Sequence, residues 1–356
     1  MANAWGTTYS RTTRHDFPAG LPAPAPPLAY VDTETSGLSG GTGTLIFAAA
    51  ICWPDSGGLR VDQFFLRSPG QEPAFLLAVQ EAVNRAPGIG TYNGARFDLP
   101  LLRTRWIMSR LPGEFCHPPH LDLLFSTRAL FKQTLADCSL RTVEAGLLGL
   151  SRTGDLPGYL APEAWFRYLR HGDLELLESA LDHNRQDVLS LYSLHSRIER
   201  RVSGTDPEMT SKDWLALSRY WKRQHRPANW WRALRQAANR ADGPAAAGAA
   251  VILARRLSRL GRPLSAARLL RDMVALLPAE TALEVALATL LEWRLGAPLE
   301  ARELVRSALE RLPRESPYYL GMEARLARLE RKARLCSPGR AQGSLPAAEC
   351  PPALRP

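Results

Sequence analysis

Apolar and polar positions change rhythm along this chain in a way that predicts its elements. The apolar run Leu28–Glu34 (LAYVDTE) predicts a first strand that ends on carboxylates. The unbroken run Leu45–Trp53 (LIFAAAICW) predicts a buried second strand, and the alternation of Leu59–Arg67 (LRVDQFFLR) a third. Between the first two lies a Gly/Ser/Thr loop (TSGLSGGTGT). From there the period lengthens. Helical spacing over Pro73–Arg85 leads to a short apolar strand at Gly88–Tyr92, a helix from about Leu99 to Ser109, and another strand at His120–Phe125. Short helices are predicted at 139–149 and 162–170, and a long amphipathic helix over Asp173–Arg200. Three consecutive strands followed by alternating strand and helix predict an α/β fold, a mixed sheet flanked by helices.

Residues 201–210 (RVSGTDPEMT) have linker composition, and beyond them no strand signal appears. Residues 259–278 and 294–313 are identical at ten of twenty positions, at an offset of 35. That is a helix-hairpin period close to the tetratricopeptide one, so residues 211–335 are expected to form an all-α, TPR-like helical-repeat domain. Gly261 and Gly296 are placed to end one helix, Pro263 and Pro298 to start the next. Residues 1–27 are polar and then Pro/Ala-rich and are expected to be a flexible leader; 336–356 are expected to be a disordered tail. The expected α/β domain is 28–200.

Charge adds a partner to this picture. The net charge is +10, but residues 1–200 hold 18 Lys+Arg against 20 Asp+Glu, and residues 201–356 hold 27 against 15. Such asymmetry suits a polyanion, although only four of the basic residues are Lys and heavy Arg use also follows from base composition. Residues 212–240 carry eight basic residues and one Asp, interleaved with Trp214, Tyr220, Trp221, Trp230 and Trp231. Two readings are open for these aromatics, stacking on unpaired bases or filling a helical core. The five cysteines form no CxxC pair and are odd in number, which argues against a disulfide scaffold or a zinc site. The first twenty residues lack an apolar signal-peptide segment, and no run reaches membrane-spanning length. A cytoplasmic protein with no membrane partner is expected.

Three segments carry the chemistry. In Asp32-Thr33-Glu34, positions i and i+2 share a strand face, so two carboxylates leave an apolar strand side by side. Buried like charges are costly without a cation between them, and hard oxygen ligands suit Mg²⁺ or Mn²⁺. In Tyr92–Leu102 (YNGARFDLPLL) a strand ends at Asn93-Gly94 and a helix begins near Asp98, which could equally be an N-cap. In His183-Asn184-Arg185-Gln186-Asp187, His183 and Asp187 share one helix face.

Together the segments resemble the DEDD superfamily of 3′→5′ exonucleases, which has an RNase H-like fold. Asp32 and Glu34 match its first motif. Asn93, Phe97 and Asp98 match the second, in the form found in family B polymerase proofreading domains, and Asp187 matches the third. The resemblance runs over residues 28–200. More narrowly, VDTETSGL, GTGT, TYNGARFDLP, HLDLLF, RTGDLPG and HNRQDVLSL resemble a bacterial RNase H-like family with a helical-repeat C-terminus. The resemblance implies a nuclease with two Mg²⁺ or Mn²⁺ ions held by Asp32, Glu34, Asp98 and Asp187, nucleic acid (DNA or RNA) as substrate, and Asn93 and Phe97 shaping the substrate site. In that superfamily the general base is a His five residues before the last Asp, or a Tyr four before it. Here His183 stands four before Asp187, about one helical turn. Asp122 is kept outside the ligand set, and Asp155 has no role assigned. A structure-selective endonuclease with the same metals, or a non-catalytic scaffold that binds nucleic acid or, through the helical repeats, protein, are the alternatives.

Overall fold

The computed structural model describes residues 2–3, 6–21, 23–25, 27–37, 41–152 and 156–336. The chain divides into two compact units between Trp230 and Trp231.

The first unit opens with a minimal hairpin, β1 (Ala2–Asn3) and β2 (Gly6–Thr7), then β3 (Tyr9–His15), β4 (Ala29–Thr35), β5 (Ile46–Asp55) and β6 (Gly58–Phe65). Helix α1 (Glu72–Val83), β7 (Ile89–Thr91), α2 (Asp98–Met108), β8 (His120–Asp122) and α3 (Leu123–Phe131) follow. The six-stranded sheet has the order β3-β6-β5-β4-β7-β8. β3, β6, β5 and β4 pair antiparallel; β4, β7 and β8 pair parallel. β4 is therefore the strand at which the sheet changes sense, and such switch points are where α/β sheets place their sites. After α3 come α4 (Leu140–Val143) with a π turn at Glu144–Leu148, α5 (Ala161–His171), α6 (Glu175–Ser203) and α7 (Ser211–Arg223).

The core is built on β5. Residues Ile46 to Cys52 are buried on both faces, and the small side chains Ala48, Ala49 and Ala50 let helices approach closely. On α6 the buried residues Leu177, Leu181, Asn184, Val188, Leu191 and Ile198 form a stripe at helical spacing. Trp165 of α5 stacks on Phe47 and donates its indole N–H to the Leu66 carbonyl at 3.0 Å. A buried Arg105–Glu72 pair with two 2.6 Å bonds joins α2 to α1, and Arg105 also reaches the Thr42 carbonyl.

Three expectations need correction. Residues 9–15 do not belong to a flexible leader; they pair with β6 along its whole length as an edge strand. His120–Phe125 is not all strand, because the Asp122 carboxylate caps α3 by accepting from the Leu124 N–H at 3.0 Å, and the chain turns helical at Leu123. Residues 201–223 do not lead away from the α/β unit. Arg201 pairs with Asp206 and Asp213 and lies over the Phe131 ring of α3, while Thr210 and Asp213 form a capping box that starts α7. Trp214 is buried there, and Tyr220 and Trp221 meet edge to face.

The second unit is helical. After α8 (Pro227–Asn239), in which the division falls, it contains α9 (Pro244–Arg259), α10 (Pro263–Leu276), α11 (Thr281–Trp293), α12 (Pro298–Arg311) and α13 (Tyr319–Cys336). Gly261 and Gly296 adopt left-handed φ of 75° and 61° before the prolines that open α10 and α12. A groove of about 260 Å³ lies between α9 and α11, with Arg255, Arg259, Arg294 and Trp293 on its lining. The tail at 337–356 lies outside the described residues. No helix of the described residues is long and apolar enough to cross a membrane.

Glu292 of α11 ties α13 in place. Arg328 donates to both its carboxylate oxygens, at 2.8 and 3.0 Å, and Lys332 to one at 2.9 Å. The Arg328 bonds hold its pKa down at about 2. A depressed acid adds stability above its unfolded pKa, near 4.5, and loses it as pH falls toward 2. Glu292→Gln is expected to destabilise this unit at pH 7 by on the order of 2 kcal/mol, because Arg328 and Lys332 are partly solvated and screened. The gap in Tm between parent and variant should close between pH 4.5 and 2.

Candidate active site

Three elements place the four acidic side chains. Asp32 and Glu34 lie at the end of β4, where a bulge sets Glu34 opposite Ala48 and Thr35 opposite Ile46. Asp98 begins α2 after a tight turn. Asn93 takes a left-handed φ of 65°, and a side chain at Gly94 would lie 2.3 Å from the Thr91 hydroxyl, so only glycine fits. Asp187 and His183 lie on α6 beside the Asn184 stripe that faces the sheet.

Asp32 feels the charge of the other three carboxylates. Burial pushes Asp32 well above the ordinary carboxylate range, and the charges of Asp187, Asp98 and Glu34 push it further. Burial lifts Asp98 to about 6, against a lowering bond from Thr33. Burial also raises Asp187, while His183 and Arg152 pull it down. In this arrangement the three aspartates are each turned onto a protein donor. The Thr33 hydroxyl donates to Asp98 Oδ1 at 2.5 Å, the Asn184 amide to Asp32 Oδ2 at 2.7 Å, and Arg152 to Asp187 Oδ1 at 2.5 Å. Correspondingly, no three His, Cys, Asp or Glu side chains among the described residues stand at ligand spacing around one point. The donor set still fits a hard divalent cation: carboxylate oxygens only, buried or half-buried, with three of them raising the energy of charged Asp32.

His183 Nε2 is 3.7 Å from Asp187 Oδ2, and its Nδ1 is 3.1 Å from Arg152. Asn93 and Phe97 enter differently. The Asn93 N–H donates to Asp122 at 2.9 Å, its carbonyl receives the Phe97 N–H at 3.2 Å, and Phe97 immediately precedes α2. Their role is to shape the turn that presents Asp98. Asp122 holds that turn from β8. Asp155 lies outside the described residues. Beside Asp187 is a cavity of about 210 Å³, lined by Arg141, Arg152, His183, Asp187, Leu156 and Pro157.

Thr33, Asn184, Arg152 and Glu144 are the partners that motif reading passed over. Two of them were adjacent to the motif residues, Thr33 inside DTE and Asn184 inside HNRQD. Arg152 lies in RTGDLPG, a stretch that carried resemblance without a role.

Residues 29–199 match the family model of the RNase H superfamily. This part of the chain is an RNase H superfamily domain. Over 179 residues the chain is 39% identical to "Uncharacterized protein YprB" of Bacillus subtilis (strain 168), an alignment covering 49% of this chain and 42% of that relative's length. The structure also aligns with the family B DNA polymerase of the hyperthermophilic archaeon Pyrobaculum calidifontis, at 14% identity and a TM-score of 0.41, over 91% of this chain and 50% of the polymerase. So loose a likeness carries no inference about function.

Within the RNase H domain, Asn184 is the outer support of Asp32. Its amide donates to both the carbonyl and the carboxylate of Asp32, and its own oxygen receives Gln63 at 3.4 Å. Asn184→Leu keeps the branched shape and removes the donor. Outer-shell losses of this kind cost about 10–100-fold in metal affinity. If Asp32 ligates a divalent ion, a Mn²⁺ titration of the variant should show a fall of that size.

Proposed function

We propose that this chain is a divalent-metal-dependent nuclease that hydrolyses phosphodiester bonds of DNA or RNA, working from the 3′ end. The observation that carries the proposal is that Glu34, Asp98 and Asp187 all act electrostatically on Asp32, which lies on the sense-switching strand of an RNase H superfamily sheet. A site that raises its own carboxylates this far is built to receive positive charge. Asp32, at the centre of the cluster, with Glu34 and Asp98 would hold a divalent cation; Asp187 faces them from α6. When bound, such a cation would neutralise charge developing on the phosphate and the leaving oxygen.

The chain's own residues do the rest. Thr33 and Asn184 fix the carboxylate rotamers of Asp98 and Asp32. The cavity beside Asp187 offers Arg141 toward phosphate and Leu156 and Pro157 toward apolar surface. The excess of basic residues after position 200 supports a polyanionic substrate.

End-labelled single-stranded DNA and RNA incubated with Mn²⁺ or Mg²⁺ test the proposal, with Asp187→Ala beside the parent. A ladder shortening from the 3′ end, lost in the variant and in EDTA, is the expected result. Cuts in circular substrates would move the reading to an endonuclease. Binding of both nucleic acids without any cleavage would leave only a non-catalytic binding protein.

A further inference from the structure

Arg152 stands inside the carboxylate cluster. Its Nη2 donates to Asp187 Oδ1 at 2.5 Å and to Glu144 Oε1, and its Nη1 lies 3.1 Å from His183 Nδ1. A guanidinium has five N–H donors, no acceptor, and no accessible neutral form. The His183 Nδ1 it meets must therefore be the lone-pair nitrogen, which places the ring proton on Nε2, toward Asp187 Oδ2. One guanidinium thus occupies an oxygen of Asp187 and the free lone pair of His183.

Arg152 is also anchored. The Glu144 side chain is 1% exposed and Arg152 is 10% exposed. If Arg152 withdrew, Glu144 would be left as a bare buried charge, which is far more costly than the pair. If Arg152 stayed and a divalent ion joined Asp187, two cations would face each other across one carboxylate in a site with little water to screen them.

We propose that Arg152 is the resident cation at Asp187, standing in place of a second metal ion, so that the chain takes a single divalent ion on the Asp32, Glu34 and Asp98 side. The inference rests on the reading of this cluster as a metal site. It also assigns His183 as a positioning residue whose Nε2 faces Asp187 Oδ2 at 3.7 Å, instead of a base that accepts a proton from water.

Mn²⁺ titration calorimetry on the full chain tests it, in the parent, Arg152→Ala and Arg152→Lys. The expected stoichiometries are one ion per chain in the parent, two in Arg152→Ala, and one in Arg152→Lys, where the ammonium keeps the charge. Two ions in the parent would overturn the inference, and so would one ion at unchanged affinity in Arg152→Ala. A parent that binds no Mn²⁺ would overturn the metal reading itself. Should Arg152→Ala fail to fold, the nitrogen chemical shifts of His183 in the parent decide the matter. Retention of the Nε2–H form with Mg²⁺ bound is expected, and conversion to the Nδ1–H form would mean that Arg152 has left.

Discussion

Asp32→Asn should abolish cleavage, by about 1000-fold or more, and yet make the metal-free protein more stable. A 1000-fold loss corresponds to about 4 kcal/mol of barrier, a modest demand on the carboxylate at the centre of a charge-stabilised site. The stability gain follows from the sign of the shift. Burial and three neighbouring carboxylates raise Asp32 in the folded state. The folded state therefore binds protons more tightly than the unfolded chain, and stability falls as pH rises above the ordinary carboxylate range near 4. At pH 8 in EDTA that cost is present in the parent and absent in the variant, while the amide oxygen of the new Asn can still receive Asn184. Melting curves at pH 5 and pH 8, with EDTA and with Mn²⁺, check this. The parent should lose Tm between pH 5 and 8 in EDTA and regain it with Mn²⁺; the variant should lose less, since only Asp98 and Asp187 still titrate from raised values, and regain less. A parent whose Tm ignores both pH and Mn²⁺ would remove the charge cluster from the account.

The order of strands and helices across residues 28–200 was legible because each element has a periodicity of its own. β5 is a solid apolar block, β6 alternates, and α6 has a stripe. What was not legible depended on partners distant in sequence. β3 reads YSRTTRH, with no apolar face, because it is an edge strand covering polar positions of β6: the Thr12 hydroxyl bonds Asp62, and Arg11 bonds Gln63. α3 hides in an apolar run, LDLLFSTRALF, that fits strand or helix equally until Asp122 is seen to cap it. Residues 201–210 have linker composition, but Arg201 is held by Asp206 and Asp213 within the first unit. The candidate site divides in the same way. Carboxylates are visible in a sequence because their type already implies a cation. Arg152 and Asn184 act through contacts with residues 35 and 152 positions away, and only the fold makes those contacts.

Asp122 is the clearest case of an acid that serves the site without belonging to it. Its Oδ1 accepts from the Asn93 N–H at 2.9 Å and the Leu124 N–H at 3.0 Å, and its Oδ2 from the Ala95 N–H at 3.2 Å. One carboxylate at the end of β8 thus caps α3 and fixes the left-handed turn that delivers Asp98. Asp122→Ala removes three charge-assisted bonds at once. Loss of the cap alone costs about 1 kcal/mol, and the two turn bonds bring the total to about 3 kcal/mol. Urea denaturation should show a fall of that size. Asp122→Asn separates cap from turn: its single carbonyl can receive one or two N–H groups, but its NH₂ cannot accept a third. With Asn in place, stability should fall by about half as much, while cleavage should fall about tenfold or more, because a displaced Asn93–Phe97 turn carries Asp98 with it. Equal stability loss in both variants with cleavage untouched would mean that the turn holds its shape without Asp122, and that Asp98 is placed by α2 and Thr33 alone.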